Sequence, residues 1–209
     1  TVYPGATEEI CIPLIEKISG MRVNKDFFVG YSPERINPGD KKHTLKNTVK
    51  ITSGSNLKSS IFINSVYGKI INKTHNVKKI KIAESAKIIE NTQRDINIAL
   101  INEFSVLLKK MKISTSEVLN AARTKWNFLD FRPGLVGGHC IGIDPYYLSY
   151  KFKQLNLDSK LILAGRNVND NFHKLVANDV YNLVKIKFKP SNQIKTLVLG
   201  FTFKENCTD

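Results

Sequence analysis

The sequence predicts an α/β protein with a large central α-helical region. Strand-like runs alternate with helices in the first third, an apolar periodicity of three and four residues fills the middle, and a buried-type strand follows near the end. The 209 residues suffice for one large domain or two smaller ones, and 42% are apolar, enough for a sizeable core.

The elements follow in order. "PGATEEICIPLIEKISG" reads as a turn and then a helix, with Thr7 as its cap, Glu8 and Glu9 in its first turn and Gly20 at its end. "DFFVGYSPE" and "NTVKITSG" read as strands, and "NLKSSIFINSVYGKII" as a helix. A long helix is expected from about Ile82 to Met111, where Ile96, Leu100, Phe104, Leu107, Leu108 and Met111 form one apolar stripe. The same helix contains "ENTQRDINIALINE", dense in amides suited to satisfying polar groups across an interface. A short helix over "SEVLNAA" precedes a loop rich in Gly and Pro. Asp144 and Pro145 restart a helix as N-cap and first helical residue. "SKLILAGRNVNDNFHKLVANDVYNLVKIKF" is another long helix, and "IKTLVLG" a strand opening a further α/β unit.

Composition limits the partners. The formal charge is +14, but the basic residues are scattered, with no interleaved aromatic platform and no nucleic-acid motif. No nucleic-acid partner is expected; an anionic small substrate suits this charge better. No run of about 18 apolar residues suggests a membrane span. Cys11, Cys140 and Cys207 are far apart and odd in number, which fits neither a disulfide framework nor a zinc site and favours a reducing, cytoplasmic setting. The chain opens on Thr1 without methionine and closes soon after a strand-like run, so it reads as an internal piece of a longer protein.

Chemistry concentrates in a few places. "GLVGGHCIGIDPYYL" places Cys140 after two glycines and just before a helix N-terminus, whose partial positive charge favours thiolate. A free cysteine is also commonly a small buried hydrophobe. Lys87 and Asn91 stand four apart on one helical face, as many solvated pairs do. Asp144 is also what a plain N-cap would be. His139, Cys140 and Asp144 make a poor metal set, and no metal is expected. Glu34 lies at the end of a strand, where ligand sites of open α/β sheets lie, or is a surface carboxylate in a turn. No G-x-G-x-x-G occurs, so the loop that grips a dinucleotide is absent and cofactor-binding residues are unassigned.

Six stretches in order, "TVYPGATEE", "YSPERINPGD", "AESAKIIENTQRDINIALINE", "TKWNFLDFRPGLVGGHCIGIDPYYL", "LAGRNVNDN" and "GFTFKEN", resemble the UDP-glucose/GDP-mannose dehydrogenase family, and its UDP-N-acetylhexosamine 6-dehydrogenase branch more closely. The resemblance implies the end of a Rossmann-like NAD-binding domain over 1–80, a helical dimerisation domain over 81–190, and the first strand of a Rossmann-like UDP-binding domain over 191–209. It implies NAD as cofactor, a UDP-sugar substrate, a homodimer through the central helices, and oxidation of the sugar C6 alcohol to a carboxylate for surface polysaccharide precursors. Residue by residue, it implies Cys140 as nucleophile, Lys87 and Asn91 as oxyanion stabilisers, and Asp144 as the carboxylate that orients water and manages protons. It implies Glu34 and Thr1 as base and water-holding hydroxyl in thioester hydrolysis. Arg123 matches an arginine that reaches substrate in the partner subunit, and Lys204 a lysine near the nucleotide sugar.

Pro38 and Ile143 stand where some UDP-glucose enzymes have a glutamate and a lysine, which suits the N-acetylhexosamine branch. UDP-glucose and UDP-N-acetylmannosamine are the alternative substrates. A cysteine acyl transferase using His139 as base, and a dimerisation module without chemistry, are the competing functions. Without the glycine loop, this piece alone is expected to be catalytically silent.

Overall fold

The computed structural model describes residues 1–37, 39–138, 140–187 and 195–199, and these form two compact units. The first comprises Thr1–Thr92 and Ile143–Asp158, the second Gln93–Gly142 and Ser159–Asp209.

The first unit is the α/β part. A π-helical turn, Thr7–Cys11, runs into α1 (Ile12–Ser19), which ends at Gly20 in the left-handed conformation (φ 71°). No side chain caps the start: Thr7 is already helical and its hydroxyl is engaged elsewhere, which corrects its expected capping role. Strands β1 (Gly30–Tyr31), β2 (Lys50–Gly54) and β3 (Thr74–Asn76) make one sheet in the order β1-β2-β3. β2 pairs antiparallel with β1, Gly30 opposite Gly54, and parallel with β3, Ile51 opposite His75.

The β2–β3 crossover is α2 (Leu57–Gly68), begun by a capping box in which the Asn56 side chain accepts from the Ser59 N–H and Ser59 reciprocates. A Cβ on Gly54 would stand 2.3 Å from the Ser60 nitrogen, so glycine is what lets helix and strand meet. β3 went unforeseen because "THN" lacks strand-forming apolar residues; it pairs because β2 is beside it. Ile51, Val77 and Ala83 form the core, with Tyr31 and Ala86 packed against them.

The long helix is α3 (Ile80–Lys110), and α5 (Asp144–Gln154) belongs to the same unit as its first turns. α5 begins at Asp144 itself, with Ile143 before it and no side-chain cap. This corrects Asp144's expected N-cap role: its carboxylate accepts from Asn91 instead.

The second unit holds the rest of α3, α4 (Thr115–Ala122, capped by Ser114) and α6 (Lys160–Lys187). Its buried surface is partly polar. Asp95 and Asn102 are 0% exposed, whereas Leu100, Phe104, Leu107 and Met111 of the apolar stripe are about half exposed. Asn102 of the amide-rich stretch is used within the chain, on Gly134 and Asn169.

Lys195–Leu199 is not strand, which corrects the expectation for "IKTLVLG" over these residues. An apolar run becomes a strand only where another lies beside it, and none pairs with it among the described residues. Among the described residues, no helix is long and apolar enough to cross a membrane.

Candidate active site

In the first unit the side chains arrive from α3, α5 and the chain's opening turn. Lys87 and Asn91 lie on α3, Lys87 half-buried and Asn91 buried. Asn91 Nδ2 donates to Asp144 Oδ2 at 2.6 Å, and Asp144 is 1% exposed. Two residues 53 positions apart, each singled out from the sequence, thus meet in the interior. One amide hydrogen of Asn91 is committed to this carboxylate, so Asn91 both orients Asp144 and keeps a second donor.

Glu34 follows β1 and is exposed. Its Oε1 accepts from the Arg35 and Ile36 backbone N–H groups at 2.7 and 2.8 Å, and its Oε2 from Lys50 Nζ at 3.3 Å. Burial pushes its pKa up, but the Ile36 and Arg35 N–H groups and the Lys50 ammonium outweigh this and hold it below the usual carboxylate range. Glu34 is therefore ionised at neutral pH, as a base must be, although a lowered pKa weakens it as one.

Thr1 is exposed, and the segment after it is tied down at every turn. The Tyr3 ring packs on Tyr150 with centroids 5.1 Å apart and lies under the Lys151 ammonium. Glu84, 0% exposed, accepts from the Gly5 N–H at 2.6 Å, the Thr7 N–H at 3.0 Å and the Thr7 hydroxyl at 2.6 Å. Glu9 joins Lys81 of α3 at 2.9 Å and Lys151 of α5 at 2.6 Å. Burial first, and then the charges of Glu84 and Asp144, push the Tyr31 phenol up, so it stays a neutral hydroxyl beside them. Sequence reasoning passed over Glu84 and Tyr31, and read Glu9 only as an acidic residue of the first helical turn. The signal available for Glu84 was its spacing of three and seven residues before Lys87 and Asn91, which puts all three on one helical face.

In the second unit, Cys140 is exposed in a turn. The loop leading to it is held at Gly134, whose N–H donates to Asn102 Oδ1 at 2.8 Å and whose carbonyl accepts from Asn102 Nδ2 at 3.0 Å. Asn102 also donates to Asn169, which donates to Asp95, and Arg166 pairs with Asp95 at 2.6 Å. Arg123 closes α4 and faces Asp130 at 3.5 Å. Lys204 and His139 lie outside the described residues.

Residues 81–171 match the central domain of the UDP-glucose/GDP-mannose dehydrogenase family. The whole chain is 54% identical to the UDP-N-acetyl-D-glucosamine 6-dehydrogenase of Salmonella typhi, covering 49% of that protein, and 33% identical to the UDP-N-acetyl-D-mannosamine dehydrogenase of Pyrococcus horikoshii, covering 49% of it. In structure it is similar to the UDP-D-ManNAc dehydrogenase of Pyrococcus horikoshii, with a TM-score of 0.82 and 32% identity over 91% of this chain and 45% of that one. The likeness to that family's central domain thus rests on residues 81–171, and the likeness to its named members runs over the whole chain. The chain spans about half the length of the curated relatives it matches.

Proposed function

We propose that this chain supplies the sugar-oxidising residues of a UDP-N-acetylglucosamine 6-dehydrogenase that takes the C6 alcohol to the carboxylate by two hydride transfers. The observation that carries the reading is the buried Asn91–Asp144 contact. It joins two residues that the family motif assigns to the same reacting centre. The choice of sugar is supported by the 54% identity to a UDP-N-acetyl-D-glucosamine enzyme, against 33% to a mannosamine one.

NAD+ supplies the hydride acceptor when bound. The residues here do not fit its pyrophosphate: the glycine loop is absent, and the first donors of α2 are closed by the Asn56–Ser59 capping box. No residue of this chain is assigned to the dinucleotide.

Loss of the first hydride leaves a C6 aldehyde. Cys140 sulfur then adds to the carbonyl carbon, and Lys87 and the second Asn91 N–H stabilise the oxygen as it gains charge. Among the described residues no hydrogen bond or ion pair engages the Lys87 ammonium, which suits it to that task. Loss of the second hydride gives a thioester. Water, held by the Thr1 hydroxyl and deprotonated by Glu34, adds to it; the C–S bond breaks, its electron pair returns to sulfur, and the carboxylate leaves. Asp144 orients the water and passes protons. Arg123 and Lys204 bind substrate, Arg123 in the partner subunit of a homodimer. The half-exposed stripe of Leu100, Phe104, Leu107 and Met111 supports pairing through the central helices. The product is a UDP-linked uronic acid for surface polysaccharide, formed in the cytoplasm.

The test is Cys140→Ser in a polypeptide that carries this chain at the full length of its relatives. UDP-N-acetylglucosamine should still bind. NADH formation should fall about 1,000-fold or more, roughly 4 kcal/mol of transition-state stabilisation. Near-normal NADH formation would exclude the thioester route.

A further inference from the structure

We propose that Glu84 is a positioning residue that fixes the Thr1 segment relative to Lys87 and Asn91 for thioester hydrolysis. The inference rests on the reaction proposed above and adds a residue to it.

The argument begins with the donors. Gly5 N–H, Thr7 N–H and the Thr7 hydroxyl come from one turn, and all three point at a single buried carboxylate 77 to 79 residues away. A carboxylate can accept them all because it is acceptor-only, with two oxygens. Glutamine cannot: its amide nitrogen would face one of these donors with hydrogens of its own. The turn also depends on Gly5, which has φ 100° and lies where an added Cβ would meet the Glu9 carboxylate at 2.5 Å. This grip fixes backbone and not merely a side chain.

Helix geometry gives the grip its consequence. Glu84, Lys87 and Asn91 share one face of α3, and Glu84 lies about 10 Å along the axis from Asn91. The helix that presents the oxyanion-stabilising pair therefore holds, through its own carboxylate, the segment that starts with Thr1. Tyr3 on Tyr150 sets the direction of that segment, and Glu84 sets its register. A displacement of about 1 Å in a positioned group costs on the order of 100-fold in rate. Releasing the turn should therefore affect the step that needs Thr1 more than those that do not.

The experiment uses the full-length polypeptide with Glu84→Gln. Amide exchange should speed up at Gly5 and Thr7 and stay unchanged over β2 and α2. With UDP-N-acetylglucosamine and NAD+, kcat should fall about 100-fold and KM should change little. The acyl adduct should accumulate on the Cys140 peptide, visible by mass spectrometry, because both hydrides leave but hydrolysis lags. Retained protection at Gly5 and Thr7 would overturn the inference, as would equal slowing of the hydride steps without an adduct. Should Glu84→Gln fail to fold, Thr7→Val removes one of the three bonds at nearly constant volume. It should show the same adduct with a kcat loss of about tenfold, and its absence would be decisive in the same way. If the unsubstituted protein forms no NADH from this sugar, the proposed reaction fails and the positioning role falls with it. The exchange result would still report the grip on the turn.

Discussion

The two compact units use buried carboxylates in different ways. In the first, Glu84 takes three donors from a single turn, two of them backbone N–H groups. In the second, Asp95 takes a guanidinium and an amide from side chains of α6. A carboxylate on backbone donors dictates the path of a loop. A carboxylate on side chains locks one helix to another and leaves loops to other groups, here Asn102 on Gly134. The functional consequence follows the partner type. The first arrangement places a segment with a proposed role in hydrolysis, and the second steadies the scaffold from which the cysteine loop departs.

The largest test of this contrast is Arg166→Met. Asp95 would keep its amide but lose its cation, and breaking a buried pair from one side costs about 3–5 kcal/mol. Burial already pushes the Asp95 pKa up, against Asn169 and Arg166. A protonated Asp95 no longer needs the cation, so the loss in urea midpoint should shrink as pH falls toward 4. A loss independent of pH would mean that Arg166 acts by packing alone.

Asn102→Ala should come next. It strands the N–H and carbonyl of Gly134 and a side-chain partner on Asn169, at about 2–3 kcal/mol for groups left unsatisfied. Faster amide exchange should centre on the stretch after Gly134, with the first unit unchanged. Uniform acceleration across both units would break the comparison.

Asn56→Ala removes the capping box of α2 and should cost about 1 kcal/mol by thermal unfolding, with no change in the second unit.

Acid should give the smallest effect and one opposite in sign between the units. Glu9, through Lys151 and Lys81, and Glu34, through its backbone donors and Lys50, sit below the ordinary range. Asp40 is held down to about 2, chiefly by the His43 N–H and imidazole. Lowered carboxylates contribute stability above their unfolded values of about 4, and lose it as pH falls through the folded ones. Asp95 is raised, so its contribution is complete below its unfolded value and fades as pH rises through the folded one. Residue-resolved exchange at pH 6 and pH 3 should show the first unit loosening and the surroundings of Asp95 holding. Equal loosening would place the carboxylate contributions elsewhere.

The sequence by itself determined the helices, the long central one among them, and a set of polar residues worth watching. Local causes suffice for these: Gly20 ends α1, the three- and four-residue spacing makes α3, and Lys87 and Asn91 share a face because a helix repeats every 3.6 residues. Tertiary structure alone decided which partner each polar group takes. Thr7 and Asp144 both look like caps, yet each bonds far along the chain, to Glu84 and Asn91, because buried donors and acceptors must be satisfied by whatever packing brings within reach. Asp95 and Asn102 of α3 turned inward for the same reason, with Asn169 and Arg166 of α6 supplying the complementary groups. β3 formed beside β2 without strand-like composition, since a ladder is a property of two segments and not of one.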